Sequence, residues 1–310
     1  MPLHIPTPLI ESRPLSASAG REVWLKLEAL QPSGSFKLRG VGAACETHAR
    51  RGATRLVSSS GGNAGLAVAY AGRRLGMPVL VVVPETATER ARALIRQEGA
   101  ELVVHGASWQ EANARAMALL TASDAFIHPF DDPLLWDGHA TLIDEVARAE
   151  PPFRPEAVVL SVGGGGLLCG VVQGLHRQGW HDDVPVVAVE TEGAATLAAS
   201  LAAGRRVELD AITSIATSLG AKQVCEQAYA WTARHPIASV VVSDLDAVKA
   251  CERFIDDHRI VVEPACGAAL AVAYAAGAPA LAAWKRVLIV VCGGATASTA
   301  QLAAWSASLR

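Results

Sequence analysis

The sequence has little charge, few aromatic residues and few lysines. Charged residues make up 18% and aromatic residues 5% of the 310 positions, and the formal net charge is -3. Because basic and acidic side chains are interspersed, no basic stripe is available to neutralise a run of phosphates, and nucleic acid is excluded as a partner. Hydrophobic residues make up 51% of the chain, which predicts one large domain or two smaller ones acting on a small substrate.

Metal-binding and export signals are also missing. The six cysteines include no C-x-x-C pair and no cluster with histidine at zinc spacing, which favours free thiols in a reducing compartment. Residues 1–14 have neither a basic start nor a continuous apolar run, so they do not resemble a signal peptide. We therefore expect a cytoplasmic protein.

One uncharged stretch, residues 264–284, reaches the ~20 residues that span a bilayer. It consists mostly of Ala and Gly, is interrupted by Gly277 and Pro279, and holds little Leu, Ile or Phe. These features favour a buried helix followed by a turn over a membrane span, and no membrane partner is expected.

Short runs rich in Val and Ile alternate with longer Ala-rich segments of helical periodicity, which is the pattern of parallel sheets covered by helices. Strands are predicted at residues 55–59, 78–84, 101–105, 157–162, 185–190, 238–243 and 286–291. Two strand-to-helix junctions are rich in glycine, at residues 58–65 (SSSGGNAG) and 161–166 (SVGGGG). Because ligands of open α/β sheets bind beyond the carboxyl ends of the strands, these junctions are expected to form two walls of one cleft.

Lysine occurs only five times, whereas arginine is common. Most lysines are solvated surface residues, but only an amine of adjustable pKa forms a Schiff base, which arginine cannot do. Lys37 stands out because small residues and Phe36 flank it in residues 33–40 (SGSFKLRG), at the start of a predicted helix.

This segment resembles the cofactor-lysine motif of fold-type II pyridoxal 5'-phosphate (PLP) enzymes, in the L-serine/L-threonine dehydratase branch. The resemblance continues through SGGN at residues 60–63, the tetraglycine loop, EPACG at 263–267 and CGG at 292–294, in the family's order. It implies a tryptophan synthase β-like α/β fold of two open parallel-sheet domains with helices on both faces. The large domain is predicted at residues 1–34 and 138–310 and the small domain at residues 35–137, with the active site in the cleft between them.

The resemblance also implies a catalytic lysine and a cofactor site. Its members are Lys37 as the Schiff-base lysine, Phe36 and Ser218 over the two ring faces, Asn63 at the phenolic oxygen, Cys292 at the pyridine nitrogen, and Gly163, Gly164, Gly165 and Gly166 at the phosphate. From the residues alone, other readings stay open. The glycine loop can equally be a tight turn, Asn63 a helix cap, and Phe36 and Cys292 core residues.

Further residues are implied for the substrate and for a cation. Ser60, Gly61 and Ala64 would bind the substrate carboxylate. Glu190 is acidic at the end of a buried strand, so it lies either at an exposed strand end or beside a partner. In the family this position helps to bind a monovalent cation, here K+, with backbone carbonyls that match Gly164, Ala194, Leu219 and Ala221. Glu263 is expected near the cleft and receives no role.

The implied reaction is an α,β-elimination. Lys37 removes the α-proton of L-serine and the hydroxyl leaves, which yields pyruvate and ammonia, and L-threonine would give 2-oxobutyrate and ammonia. The resemblance further implies a homodimer.

A racemase or another fold-type II PLP lyase is the alternative within this chemistry. Racemase relatives carry a serine at the position of Gly61, so a second proton donor is missing here. A dinucleotide-binding oxidoreductase would need a G-x-G-x-x-G motif that neither junction provides, and it would leave Lys37 unexplained. A non-catalytic amino-acid sensor on the same fold stays open.

Overall fold

The computed structural model describes residues 1–309, which alternate between strands and helices. The strands are β1 (Leu9–Glu11), β2 (Glu22–Lys26), β3 (Arg55–Ser58), β4 (Val79–Val83), β5 (Glu101–Val104), β6 (Asp124–Phe126), β7 (Ala157–Ser161), β8 (Val186–Thr191), β9 (Ile237–Val242) and β10 (Arg286–Val290). The α-helices are α1 (Arg13–Ala19), α2 (Lys37–Arg50), α3 (Asn63–Leu75), α4 (Glu89–Gln97), α5 (Trp109–Ala118), α6 (Pro133–Ala147), α7 (Gly166–Arg177), α8 (Thr196–Ala203), α9 (Glu226–Trp231), α10 (Asp244–His258), α11 (Pro264–Tyr274) and α12 (Thr299–Ser308). Short 3-10 turns lie at Glu28–Leu30, Thr217–Leu219 and Pro279–Leu281.

The strands form two sheets. The larger has six strands in the order β1-β2-β10-β7-β8-β9, and the smaller has four in the order β5-β4-β3-β6. Every strand pair is parallel except β1 with β2, which adds an antiparallel edge that the sequence pattern does not predict. All seven predicted strands are present, with ends that agree within one residue.

The sheets draw on separate parts of the chain. The larger sheet uses residues 9–26 and 157–290, and the smaller one uses residues 55–126. This arrangement suits the division into a large and a small domain, whose boundaries at residues 34/35 and 137/138 stay a prediction.

The strands at the centre of the large sheet are buried along their whole length. β7 and β8 have no exposed or half-buried residue, and in β10 only Arg286 reaches solvent. Continuous runs of Val, Leu and Ala are what a parallel strand covered on both faces requires. The carboxyl end of β7 is thereby enclosed by the sheet and its covering helices, and the tetraglycine loop begins there.

The uncharged stretch at residues 264–284 forms the buried helix α11, followed by a 3-10 turn. Within residues 1–309, no helix combines the length and the apolar character that crossing a membrane requires.

Candidate active site

The loop that carries the lysine is pinned to the end of β10. The N–H of Phe36 donates to the carbonyl of Cys292 at 3.0 Å, and the N–H of Gly294 donates to the carbonyl of Gly34 at 2.9 Å. Ser35 and Gly293 form an isolated antiparallel bridge between these bonds. The first residue of α2, Lys37, is therefore held near Cys292.

The Lys37 amine lies half-buried in this site. Its Nζ donates to the carbonyl of Pro129 at 2.6 Å and lies 5.1 Å from the centre of the Phe36 ring. Burial lowers the pKa of Lys37 from 10.5 to about 8, against the influence of Cys292 and Glu263, which raise it. The amine therefore gives up its proton more readily than a surface lysine does, as a base or nucleophile must.

The Phe36 ring packs against the His139 ring. The two ring centres are 4.9 Å apart, and His139 is fully buried. Burial and the neighbouring charge of Lys37 lower the pKa of His139 well below its usual range, so the ring is neutral. Its Nδ1 accepts from the N–H of Gly40 at 3.2 Å, which holds the ring behind Phe36.

The tetraglycine loop connects β7 to the N-terminus of α7. Gly165 caps the helix with a φ of +94°, a conformation that side chains disfavour. Within residues 1–309, the four backbone N–H groups of residues 163–166 donate to no acceptor. Unpaired N–H groups at a helix N-terminus are a ready-made site for an anion such as a phosphate.

The second glycine-rich junction connects β3 to α3 and offers a similar set of donors. In the described part of the chain, the N–H groups of Gly61, Asn63 and Ala64 have no acceptor. The N–H of Gly62 donates to the Ser60 hydroxyl at 3.3 Å. The junction can therefore hold a second anion.

The side chain of Asn63 links this junction to the large sheet. Its Nδ2 lies 2.7 Å from Oε1 of Glu263 and 3.5 Å from Oγ of Ser218. Its Oδ1 accepts from the N–H of Ala295 at 3.3 Å. The structure thus brings Asn63 and Ser218 together and adds Glu263, for which the sequence indicates no role.

Cys292 follows β10 and is buried at 6% exposure. The adjacent Cys266 thiol and burial raise the pKa of Cys292 well above its usual range. The thiol is therefore neutral, and it can form a weak hydrogen bond but cannot supply a negative charge.

Glu190 is fully buried near the end of β8, and it has partners. Its carboxylate accepts from the N–H groups of Leu197 and Ala198, both at 2.8 Å, and so caps the N-terminus of α8. Burial raises the pKa of Glu190 to about 7. Of the predicted carbonyl ligands, that of Gly164 accepts from Cys225 at 2.9 Å and that of Leu219 from Ala221 at 2.8 Å.

Comparison with known proteins shows the family. The sequence profile of the family "Pyridoxal-phosphate dependent enzyme" matches residues 1–293. The chain belongs to this family. The resemblance and the fold predicted from the sequence motifs are thereby confirmed, apart from the antiparallel edge strand β1.

Relatives in the family align over almost their full length. The chain is 47% identical to the L-serine dehydratase/L-threonine deaminase of Homo sapiens, over 98% of this chain and 94% of that one. It superposes on the L-serine ammonia-lyase of Rhizomucor miehei with a TM-score of 0.95 and 36% identity, covering 100% of both chains. It also superposes on the serine racemase of Dictyostelium discoideum with a TM-score of 0.82 and 26% identity, covering 94% of this chain and 93% of that one.

Proposed function

We propose that this protein is an L-serine/L-threonine ammonia-lyase. It eliminates water from L-serine to give pyruvate and ammonia, and it converts L-threonine to 2-oxobutyrate and ammonia. The observation that carries the proposal is the Lys37 amine, whose pKa burial lowers to about 8, in a chain whose two glycine-rich junctions have backbone N–H groups without an acceptor among the described residues. The relatives named for both reactions support it.

The site residues fit PLP, and we assign them accordingly. Lys37 would bind the cofactor covalently, the N–H groups of residues 163–166 its phosphate, Asn63 its phenolic oxygen and Cys292 its pyridine nitrogen, with Phe36 and Ser218 over the two ring faces. A neutral thiol suits an unprotonated ring nitrogen, because it carries no charge that would favour protonation. When bound, PLP supplies the electron sink that stabilises negative charge at the substrate Cα.

The chain itself orients the substrate and moves the proton. The Ser60 hydroxyl and the N–H groups of Gly61 and Ala64 would hold the substrate carboxylate and so limit the orientations of the substrate. The neutral Lys37 amine then accepts the α-proton at Nζ. Burial favours this neutral form, so proton transfer is feasible near neutral pH.

Racemisation is the second candidate, because the fold is shared with a serine racemase. A racemase needs a proton donor on the substrate face opposite the lysine, and Gly61 offers no side chain there. Chiral analysis of the products of L-serine turnover distinguishes the two. Pyruvate without D-serine supports the lyase, whereas D-serine at a comparable rate contradicts it.

Borohydride trapping tests the cofactor assignment. The purified protein is expected to absorb in the visible range. Reduction followed by digestion should place a pyridoxyl group on Lys37 and on no other lysine. Lys222, whose Nζ donates to the Asp210 carbonyl at an exposed site, is the natural comparison peptide. A pyridoxyl group elsewhere, or none, contradicts the assignment.

We also propose that Glu190, with the carbonyls of Gly164, Ala194, Leu219 and Ala221, binds K+. A nearby cation favours the ionised carboxylate, whose pKa burial has raised to about 7. K+ should therefore raise the thermal unfolding midpoint and the elimination rate more than tetramethylammonium does at equal ionic strength. Glu190→Gln should remove the difference, and identical midpoints in K+, Na+ and tetramethylammonium for the unaltered protein would contradict the site.

The homodimer and the cytoplasmic location stay predictions.

A further inference from the structure

Glu263 lies in the part of the chain that forms the larger sheet, and its side chain bonds Asn63 in the part that forms the smaller sheet. The proposed reaction assigns Glu263 no role. It is the N-cap residue of α11, and its Oε1 accepts from Nδ2 of Asn63, the first residue of α3, 200 positions away in the sequence. Its Oε2 accepts from the Thr296 hydroxyl at 3.3 Å. Glu263 is 6% exposed and Asn63 is 7% exposed, so water does not compete freely for these bonds.

The partners of Asn63 select one of the two orientations of its amide. The N–H of Ala295 can only donate, so it requires Oδ1 on its side. An ionised carboxylate can only accept, so Glu263 requires Nδ2 on the opposite side. The amide then has one N–H bound to Glu263 and a second N–H left for the cleft, where it has only a long contact of 3.5 Å to Ser218.

We propose that Glu263 is a positioning residue that fixes the Asn63 amide, so that its free N–H faces the cofactor side of the cleft. The inference rests on the proposed function, in which this N–H donates to the phenolic oxygen of PLP. Without the carboxylate, only the 3.3 Å bond from the Ala295 N–H orients the amide. The amide can then turn over more readily and present Oδ1 to the phenolic oxygen, and two acceptor oxygens repel each other. The hydrogen bond between Glu263 and Asn63 also links α3, beside the smaller sheet, to α11, beside the larger sheet.

The surroundings of Glu263 leave its carboxylate ionised at the pH of turnover. Burial raises the pKa of Glu263 to about 6, while hydrogen bonds from Ser218, Asn63 and Thr296 and the charge of Lys37 lower it. The other titratable groups facing it are the thiols of Cys251 and Cys292, whose pKa values burial and neighbouring groups raise well above their usual range. Lys37 is thus the charged group that acts on Glu263, and Asn63 is assigned to the same cofactor site as Lys37.

The chain contains only two asparagines, Asn63 and Asn113, so asparagine-selective 15N labelling reports on the contact directly. In the full-length holoenzyme, the side-chain NH2 signals of Asn63 should shift with a midpoint near pH 6, as the carboxyl gains its proton. Asn113 bonds the Ser59 hydroxyl at 2.8 Å and serves as the internal reference. The transition should disappear in Glu263→Gln. An Asn63 signal that does not titrate between pH 5 and 8, or that still titrates in Glu263→Gln, would overturn the proposal.

Thr296→Val provides a variant that leaves both partners in place. It removes one hydrogen bond to the charged carboxylate, so the Asn63 midpoint should move to higher pH. An unchanged midpoint would contradict the assignment even if Glu263→Gln fails to fold.

The consequence for cofactor binding is tested by a double-mutant cycle on the PLP dissociation constant. Glu263→Gln should weaken binding about tenfold in the unaltered chain and less than about twofold in an Asn63→Ala background, because Glu263 acts through Asn63. An equal loss in both backgrounds would show that it acts independently. The same NMR titration of the PLP-free protein depends on neither turnover nor a bond to Lys37, so its failure is distinct from failure of the borohydride test.

Discussion

At the scale of single residues, burial of the Lys37 amine destabilises the folded chain, because it disfavours the protonated form. Burial lowers its pKa from 10.5 to about 8, whereas the unfolded chain keeps the higher value. Between these two pH values the unfolded state binds more protons, so stability rises with pH there. The cost is fully present below about pH 8 and fades toward pH 10.5.

Lys37→Met should therefore separate function from stability. The variant should lose elimination, because the amine that accepts the α-proton is gone. In the PLP-free protein, its free energy of unfolding at pH 7 should exceed that of the unaltered chain by about 1–3 kcal/mol. Urea unfolding at pH 7, 9 and 10.5 measures the difference, which should shrink as the pH rises. A variant that is less stable at pH 7, or that still turns over L-serine, contradicts the assignment.

Cys292→Ser distinguishes a residue that only packs from one that faces the cofactor. If Cys292 only packs, a buried hydroxyl without a partner should lower the free energy of unfolding by about 1–3 kcal/mol. We expect instead that the PLP-bound variant keeps its stability and eliminates water at a comparable rate, because the ring nitrogen accepts from the hydroxyl. Cys292→Asp should shift the products toward side reactions such as transamination. An unstable Cys292→Ser variant would show that Cys292 is a packing residue of the core.

At the scale of elements, the connection from β4 to α4 decides what the substrate face can carry. A side-chain Cβ at Gly61 would lie 2.9 Å from Cβ of Ala87 and 3.3 Å from Cβ of Val83. The sequence comparison suggests that Gly61→Ser places a hydroxyl on the racemase face. The structure adds a steric requirement, because the connection must first move away to admit the side chain.

Gly61→Ser alone should accordingly lose stability, by about 1–3 kcal/mol, and produce no D-serine. Adding Ala87→Gly removes the closest contact, and the double variant should regain part of the stability. If a hydroxyl on that face is what racemases need, a trace of D-serine then becomes measurable. Chiral chromatography and urea unfolding report the two effects, and a fully stable Gly61→Ser variant contradicts the steric argument.

The elements themselves are largely predictable from the sequence. Buried parallel strands need continuous Val-rich runs, and these appear wherever a strand is covered on both faces. β1 and β6 have three residues each, which is too short for a periodic signal. In the site, Lys37 and the glycine junctions are recognisable because backbone conformation and chemistry demand those residue types. Glu263 is not, since a single carboxylate before a proline looks like any helix cap until Asn63 is placed against it.

At the scale of the whole molecule, a buried ion-pair network ties the lysine helix to the large sheet. Arg39, two residues after Lys37 on α2, is fully buried, and its Nε lies 2.7 Å from Oε2 of Glu28. Its Nη1 lies 2.7 Å from Oε1 of Glu145 on α6. The same carboxylate lies 2.5 Å from Nζ of Lys26 on β2. Breaking this network should loosen the site and the fold together.

Arg39→Met is the test, because it keeps the aliphatic volume and leaves the Glu28 and Glu145 carboxylates without their shared partner. The free energy of unfolding at pH 7 should fall by about 3–5 kcal/mol, the cost of an uncompensated buried charge. Arg73→Met is the matched control, since its pair with Glu98 lies at the surface and its loss should change the urea midpoint little. Equal losses for the two variants at pH 7 would show that the Arg39 network contributes no more than a surface pair.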